Sequence, residues 1–454
     1  MGRSKLFETN HVVKIEKLVY GGNGLAKLEN GRVVLVPNTV PGEVVEISLR
    51  KKKKGVFWAD IVEIKQKDES IRIEEKCQHS QVCGGCSYQH LPYNYQLQAK
   101  ETILKEIYNN ALELEPSICS PVEYNYRNKC EFTFGEDKEG NFQLGLHPPG
   151  KFFEVLDLKQ CELLPRDVWN LLQAIKALAA DSGLGPYKDL KDEGFWSTVT
   201  IRYGFEEGKI LILWNVKNPQ HPKLQQINET LSKQFPNIKA IFAIPSPRGE
   251  LVSLLGDSLI VETIGDLQLM YGVENFFQIN MKVLPLFMKR ITDLVSERKP
   301  LVVYDLFGGV GAIGLYLAKQ LPLLKRVISA EVDKEATKLA ALNAELNCLE
   351  NFEAYHLDLY KKGWSKMFLE ELGLVHNNDY KNACAIVDPP RAGLAKKTIK
   401  DVSALEPSSI VYVSCNPTTQ KRDIDLFKEY GYEIQSLQLV DMFPQTFHLE
   451  AIAV

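Results

Sequence analysis

The 454-residue sequence lacks any long hydrophobic run. No apolar stretch approaches the ~20 residues that span a bilayer, and the opening "MGRSKLFETN" lacks the apolar middle region of a signal peptide. We therefore expect a cytoplasmic protein with no membrane partner. Cysteine is also sparse, with nine in the chain. In a reducing compartment, a cluster of cysteines indicates metal binding or catalysis rather than disulfide bonds.

The sequence also lacks a strong excess of positive or negative residues, since its formal net charge is only −4. This balance neither indicates nor excludes a polyanionic partner, because a local basic face can bind RNA on an otherwise acidic surface. Internal repeats and low-complexity segments are absent from the sequence. The length predicts two or three globular domains, and nothing in the sequence requires more than a monomer.

Three regions differ in their hydrophobic pattern. Residues 11–66 alternate with period two between Gly-Gly, Asn-Gly and Pro-Gly turns, which predicts a small β-barrel. Its basic run, Arg50 to Lys54, is predicted to form an exposed loop that either contacts phosphate or is simply solvated. A cysteine-bearing stretch, a helix near residues 95–111 and a mixture of strands and helices at 126–268 follow.

From about Gly272 onward, strand-like and helical segments alternate, which predicts a doubly wound parallel α/β sheet. "VVYDLFGGVGAIGLYLAKQ" is a strand, a turn and a helix, with the glycine pattern Gly309-x-Gly311-x-x-Gly314. Glu331 ends the next strand, 20 residues after Gly311. Such a turn followed by an acidic residue binds nucleoside cofactors, because glycines admit the ligand and the carboxylate takes ribose hydroxyls. Dinucleotides and S-adenosylmethionine both satisfy it.

Further candidate residues follow later strands. Asp358 lies near the end of the third predicted strand, within reach of an adenine; Asp388 of "VDPPR" ends the fourth, and Cys415 of "VSCNP" ends the fifth. Strand ends of an open α/β sheet meet at one crevice. A buried cysteine is usually a small hydrophobe, but at this edge, with Lys421 and Arg422 nearby, an accessible thiol of lowered pKa is predicted.

A thiol and a carboxylate suit methyl transfer to uracil. Carbon 5 of uracil is a poor nucleophile until a thiolate adds to carbon 6, and a base must later remove the carbon 5 proton. Cys415 is the candidate nucleophile, and Glu450 of "DMFPQTFHLEAIAV" is a candidate base. The alternative for Glu450 is an ordinary surface charge.

A separate group of cysteines lies in "CQHSQVCGGCSYQHL", which contains Cys77, Cys83 and Cys86; Cys161 is a distant fourth. Four thiolates fit either zinc or an iron–sulfur cluster. Structural zinc sites usually show two close pairs of ligands, whereas here only Cys83 and Cys86 are closely paired.

Taken together, "FFQIN", "DLFGGVG", "DPPR", "SCNP" and "DMFP…T…HLE" resemble the RNA 5-methyluridine methyltransferases over nearly the whole chain. The resemblance implies S-adenosylmethionine as methyl donor and RNA as substrate, ribosomal (23S) RNA rather than transfer RNA. It implies that Cys415 is the nucleophile and Glu450 the base. It also implies a 4Fe-4S cluster on Cys77, Cys83, Cys86 and Cys161, with zinc as the alternative. The implied cofactor-pocket residues are Gln278, Phe307, Glu331, Asp358 and Asp388, and Asp388 is also expected to help hold the uracil.

The same resemblance implies three domains. A TRAM-like barrel of the oligonucleotide-binding type is expected at residues 1–66, and a small α+β central domain with the cluster cysteines at 67–93 and 123–268. A Rossmann-like methyltransferase domain is expected at 94–122 and 269–454.

Four positions depart from the family pattern or vary within it. Gly308 stands where cysteine is common, and Ala312 replaces a polar residue and so removes a side-chain hydrogen bond to the cofactor. Gln445 and Phe447 lie at positions where related sequences vary. None of these changes removes the predicted nucleophile or base.

Three alternatives remain at this stage. The glycine pattern with Glu331 also suits a nicotinamide-dependent oxidoreductase. "DPP" resembles the motif of enzymes that methylate exocyclic amines, but Arg391 stands where that motif has an aromatic residue, and an amine substrate would not need Cys415. A non-catalytic RNA-binding protein would use the barrel alone.

Overall fold

The computed structural model describes residues 9–188, 191–247, 249–256, 259–373 and 382–454. The N-terminal strands form a closed barrel in the order β1-β2-β3-β5-β4. Their alternating side chains fill its interior, as Val13 and Ile15 of the first strand illustrate. The barrel strands are β1 Asn10–Val19, β2 Asn23–Lys27, β3 Val33–Pro37, β4 Val44–Lys53 and β5 Val56–Gln66.

The basic run of the barrel differs from its prediction. β4 continues through Lys53, so most of the run Arg50 to Lys54 belongs to a strand rather than to a loop. Only Lys54, with φ +49°, and Gly55, with φ +86°, form the hairpin turn into β5. The apolar spacing is lost at the charged end of β4, but pairing with β5 keeps this end extended.

A seven-stranded sheet forms the middle of the molecule, in the order β13-β12-β11-β10-β7-β8-β9. Apolar side chains of two helices, among them Leu171 and Leu231, share a core with it. Its strands are β7 Lys129–Glu136, β8 Phe142–Leu146, β9 Leu156–Asp157, β10 Trp196–Tyr203, β11 Ile210–Val216, β12 Ile238–Pro245 and β13 Val252–Leu255. A separate hairpin pairs β14 Ile260–Ile264 with β15 Leu267–Tyr271.

The C-terminal sheet has eight strands in the order β18-β17-β16-β19-β20-β22-β21-β6. The first five in that order run parallel, and the connections between them contain helices. The chain changes direction of winding between β16 and β19, and such a switch point opens a crevice at the carboxyl ends of the strands. Its strands are β6 Glu115–Ile118, β16 Val302–Leu306, β17 Arg326–Glu331, β18 Phe352–His356, β19 Ala383–Val387, β20 Ser409–Ser414, β21 Leu437–Val440 and β22 Glu450–Ala453.

The described helices are α1 Tyr93–Ile107, α2 Arg166–Asp181, α3 Pro222–Gln234, α4 Leu284–Arg298, α5 Ala312–Gln320, α6 Lys334–Leu346, α7 Trp364–Glu371, α8 Lys396–Ala404 and α9 Pro417–Phe427. Within the described ranges, none is both long and apolar enough to cross a membrane.

An early segment of the chain completes the C-terminal sheet. β6 pairs in parallel with β21, and α1 packs beside it. On α1, Lys100 forms a fully buried ion pair with Asp441, with 2.7 Å between Nζ and Oδ1. Gln96 of the same helix exchanges two hydrogen bonds with Gln445. α1 therefore fixes the segment that leads from β21 into β22. The domain boundaries given above remain predictions.

Candidate active site

The glycine turn after β16 is built around the buried carboxylate of Asp305. Its Oδ2 accepts hydrogen bonds from the Gly314 N–H at 3.1 Å and from the Ser329 hydroxyl at 3.3 Å. Burial raises the pKa of Asp305 to about 6, against the effect of these two donors. The carboxylate thus ties the start of α5 to the first strand of the switch point.

This arrangement gives a physical reason for Gly308. A Cβ at this position would lie 2.1 Å from the Ser329 Oγ and 2.8 Å from Asp305 Oδ2. A cysteine here would require Ser329 to move. Ser329 and Gly308 are therefore a matched pair in this chain.

Glu331 lies at the end of β17, as predicted. One carboxylate oxygen accepts from the Gly309 N–H at 3.0 Å and the other from the Asp333 N–H at 2.8 Å. Gly309 has φ +57°, and a Cβ there would meet open space, so its role is to adopt the left-handed conformation. The carboxylate is held beside the glycine turn, where a ribose would lie.

The other predicted cofactor residues include Phe307 after β16, Asp358 after β18 and Gln278 before α4. Phe307 has a left-handed φ of +64°, and its ring centroid lies 5.6 Å from that of Tyr360. Asp358 follows β18 and is exposed, and its carboxylate accepts the Tyr360 N–H at 2.9 Å. Gln278 is half-buried, and its carbonyl oxygen accepts from the Asn128 side chain at 3.0 Å. Their contacts with a cofactor remain predictions.

Strand register brings Cys415 and Glu450 together. Ser414 at the end of β20 pairs with Ala451 of the antiparallel strand β22. Cys415 directly follows Ser414 and Glu450 directly precedes Ala451, so both residues lie beside this last pair, at the same end of the two strands. Glu450 is only 4% exposed, so the alternative of an ordinary surface charge is wrong.

The cation beside the thiol is Arg391, not the pair predicted from the sequence. Lys421 is bound to Asp425 at 2.5 Å and Arg422 to Asp423 at 2.6 Å. Burial and the charge of Glu450, with a smaller effect of Asp388, raise the pKa of the Cys415 thiol to about 11, although Arg391 acts to lower it. The prediction of a lowered pKa is therefore wrong.

The two carboxyls beside the thiol are also perturbed. Burial and the neighbouring charge of Asp388 raise the pKa of Glu450 well above its usual range, and Arg391 opposes this. Burial and the charge of Asp305 raise the pKa of Asp388 to about 7. Raised pKa values of this kind are typical of acid–base groups in active sites.

Side-chain contacts join the loops after β19 and β20. The Asn416 amide and the Thr419 hydroxyl both donate to the Arg391 carbonyl oxygen, at 3.0 and 3.3 Å. The Arg391 guanidinium lies 3.4 Å from Nδ1 of His448, whose pKa is lowered to about 4 by burial and by Arg391. Sequence reasoning missed His448 and used Arg391 only against an amine substrate, although both lie within recognised motifs.

The second cysteine group lines one cavity of ≈ 450 Å³ near His448. Cys77, Cys83, Cys86 and Cys161 all face it as free thiols, and Cys130 joins them. Burial raises the pKa of Cys83 and Cys161, and that of Cys86 to about 12. The fold thus brings together the four cysteines that the sequence analysis grouped, although Cys77 and Cys161 are 84 residues apart in the chain.

A formed metal site is not present in the described part of the chain. Among those residues, no three His, Cys, Asp or Glu side chains are arranged to hold one metal ion. This geometry supports neither the zinc alternative nor the 4Fe-4S prediction. What it does show is a set of four thiols on the wall of a single cavity.

Comparison with known proteins places the chain in a family. The family model described as tRNA (Uracil-5-)-methyltransferase matches residues 92–454, and the TRAM domain model matches residues 11–62. A crystal structure of Pyrococcus abyssi tRNA (uracil-54, C5)-methyltransferase in complex with S-adenosyl-L-homocysteine has the same fold. It superposes with a TM-score of 0.75 at 24% identity and covers 99% of both chains.

Relatives of similar length carry names of the same kind. An uncharacterized RNA methyltransferase of Clostridium tetani is 31% identical over 100% of this chain and 98% of its own. Another, from Caldanaerobacter subterraneus subsp. tengcongensis, is 30% identical over 97% of both. These relationships set aside the nicotinamide-dependent oxidoreductase and the non-catalytic RNA-binding protein. The chain belongs to the tRNA (uracil-5-)-methyltransferase family and is an S-adenosylmethionine-dependent RNA methyltransferase with an N-terminal TRAM barrel.

Proposed function

We propose that this protein methylates carbon 5 of a specific uridine in RNA, with Cys415 as nucleophile and Glu450 as base. The observation that carries the proposal is the pairing of β20 with β22, which brings Cys415 and the buried carboxyl of Glu450 to the same end of the two strands. Both lie at the strand ends that also hold the glycine turn and Glu331. The methyl donor and the two reacting groups would therefore meet in one crevice.

Addition to the ring comes first. The Cys415 thiolate forms a bond to carbon 6 as the double bond between carbons 5 and 6 opens, which leaves negative charge on the uracil ring. Because burial raises the pKa of Cys415 to about 11, the thiol must first give its proton to water, so that the S–H bond breaks before the bond to carbon 6 forms. Arg391 is the cation in place to stabilise the thiolate, since it lowers that pKa.

Methyl transfer and elimination follow. Carbon 5 attacks the methyl carbon of S-adenosylmethionine, whose bond to the sulfonium sulfur breaks. Glu450 then takes the proton from carbon 5, the ring double bond re-forms and the Cys415 thiolate leaves. To act as base, Glu450 must first be ionised, and Arg391 is the cation that lowers its pKa. General base catalysis of this kind contributes about 10²–10⁴-fold.

The remaining predicted residues have binding roles in this proposal. Glu331 takes the ribose hydroxyls in place of the Gly309 and Asp333 N–H groups, and Asp358 and Phe307 line the adenosine side. Gln278 contacts the methyl donor, and Asp388 lies between the donor and the uracil. The target uridine is flipped out or already unpaired, because carbon 6 cannot be reached inside a stacked helix.

We further propose ribosomal RNA as the substrate and a 4Fe-4S cluster on Cys77, Cys83, Cys86 and Cys161. The proposal rests on the four cysteines that line one cavity, because thiolates are the ligands of such clusters, although their side chains do not form a metal site as they stand among the described residues. The cavity is also lined by His448, so a cluster there would stabilise the side of the active site that receives RNA. When bound, the cluster would contribute a rigid scaffold, since methyl transfer requires no electrons.

Transfer RNA is the second candidate substrate, favoured by the description of the family model that matches residues 92–454. Purified protein would be incubated with S-adenosylmethionine and transcripts of 23S ribosomal RNA or transfer RNA that carry tritium at uridine carbon 5. We expect stoichiometric tritium release from the ribosomal transcript. Release from transfer RNA alone would reassign the substrate, and release from neither would contradict carbon 5 chemistry.

A further inference from the structure

The first turn of the barrel reaches the catalytic end of the C-terminal sheet. It consists of Tyr20, Gly21 and Gly22, between β1 and β2, and both glycines have left-handed φ values of +103° and +79°. A Cβ at Gly22 would lie 3.0 Å from the Ser87 Cβ and 3.1 Å from the Phe447 Cβ. Gly22 therefore allows the turn to pass between the cysteine-bearing loop and the segment that leads into Glu450.

The surroundings hold this turn firmly. The Ser87 and Tyr88 N–H groups both donate to the Gln445 carbonyl oxygen at 3.0 Å, which joins the two walls on either side of the turn. Leu18 and Val40 of the barrel belong to the same buried apolar core as Leu449. The barrel and the C-terminal sheet thus share a core at this point, and the position of the turn is fixed by packing.

The turn brings Tyr20 to the segment that leads into Glu450. Its half-buried ring meets the Phe447 ring edge-on, with 6.0 Å between centroids and an interplanar angle of 90°. The next residue, His448, lies 3.4 Å from the Arg391 guanidinium, so Tyr20 packs at the edge of the proposed active site. Burial raises the pKa of Tyr20; the charge of Cys415 raises it further, Arg391 lowers it, and Glu450 raises it. The phenol thus stays protonated, and a protonated phenol can donate a hydrogen bond.

A thiolate and a carboxylate can only accept hydrogen bonds, so a protonated phenol beside them can donate a hydrogen bond to either anion. We propose that Tyr20 is a further residue of the active site, whose hydroxyl donates toward Cys415 and stabilises the thiolate that attacks uridine. The inference rests on the proposed nucleophilic role of Cys415. It makes the barrel part of the catalytic centre as well as an RNA-binding module.

The test removes only the hydroxyl. In Tyr20→Phe, the ring that packs on Phe447 remains, as do Arg391, Glu450 and Asp388, the charged groups around the thiol. The rate of Cys415 alkylation by iodoacetamide is measured against pH without RNA, with the Cys415 peptide quantified by mass spectrometry. Because a hydrogen bond to a charged group stabilises it, we expect the alkylation midpoint to rise by about 1 pH unit. With RNA, we expect kcat to fall about tenfold while KM changes by less than about twofold.

Two control variants separate this role from packing. Tyr430→Phe removes a hydroxyl from an exposed tyrosine in the turn after α9 and should leave both measurements unchanged. Tyr20→Ala removes the ring as well and should also lower the melting temperature. If Tyr20→Phe matches the wild type in midpoint and kcat while Tyr20→Ala is impaired, Tyr20 has a packing role only and the inference is wrong. A Cys415→Ala variant that still methylates would instead overturn the proposed function, whatever Tyr20→Phe shows.

Discussion

Cys415 and the four cysteines of the neighbouring cavity are all free thiols that are buried or half-buried, but different charged groups surround them. Burial raises the pKa of Cys415, and likewise those of Cys83, Cys86 and Cys161. Cys415 is surrounded by the cation Arg391 and by the carboxyls of Glu450 and Asp388, whose pKa values are both raised. For Cys83, Cys86 and Cys161, the neighbouring charges that raise the pKa are those of other cysteines lining the same cavity.

The difference shows that burial alone does not decide what a thiol does. A lone thiol next to Arg391 and Glu450 has a cation that favours the thiolate and a partner for proton transfer. Several thiols on one cavity wall repel each other as anions, and bound iron would relieve that repulsion. The predictions below test this contrast between chemistry at one site and ligation at the other.

The largest effect is expected for Cys415→Ala. Methylation should fall roughly 10⁴-fold or more, because no other group can add to carbon 6. Binding of S-adenosylmethionine, measured by calorimetry, and iron content should not change. Cys348→Ala, which alters an exposed thiol outside both sites, is the matched control and should keep full activity.

Glu450→Gln should stop the reaction one step later. Turnover is expected to fall about 10²–10⁴-fold, because the carbon 5 proton is no longer removed. Methylated RNA should then stay covalently bound to Cys415 and appear as a shifted band in a denaturing gel. The band should require S-adenosylmethionine and vanish in the double variant with Cys415→Ala. A reaction that turns over normally would show that another group is the base.

Cys86→Ser should affect the second site instead. We expect the iron and sulfide bound to anaerobically purified protein to be lost, because one ligand of the cluster is removed. The methylation rate per folded molecule should fall far less than in Cys415→Ala. Cys130→Ser is the matched control, since Cys130 lines the same cavity outside the predicted ligand set. Wild-type protein that binds no iron after anaerobic reconstitution would exclude the cluster.

The smallest effect concerns the cation beside the nucleophile. With a pKa of about 11, the Cys415 thiolate fraction should rise tenfold per pH unit below that value. Arg391→Gln should move the alkylation midpoint upward by about one unit, because an opposite charge that favours the thiolate is lost. Lys421→Gln should not move it, since Lys421 is paired with Asp425. If Lys421→Gln did raise the alkylation midpoint, Lys421 would be a cation that lowers the pKa of Cys415, as the sequence predicted.

The strand-end rule explains what the sequence could reveal about the site. Glu331 ends β17 and Cys415 directly follows β20, as predicted, because each ends or follows an apolar strand of a parallel sheet; their roles in a site remain predictions. The closed barrel and the α/β sheet were predictable for the same reason, since their periodicity is local. The burial of Glu450 was not, because it depends on β22 inserting between β20 and β21.

Long-range electrostatics explains what the sequence could not reveal. Lys421 is close to Cys415 in sequence, but it forms an ion pair with Asp425, four residues later. The cation that acts on Cys415 is Arg391, which comes from the loop after β19. The i,i+4 spacing could have been recognised as an intrahelical ion pair. The approach of Tyr20 depends on how two domains pack, for which no local pattern exists.

The pairing of β6 with β21 has a consequence for synthesis of the chain. Pro116 beside this pairing accepts a hydrogen bond from Gln438, 322 residues later. At 5–20 residues per second, the early segment leaves the ribosome on the order of tens of seconds before its partner exists. During that interval, Lys100 has no Asp441 to neutralise, and α1 must wait while the whole middle domain is translated and folds. Helix α1 and strand β6 are thus the first parts of the catalytic domain to be made and among the last to reach their native place.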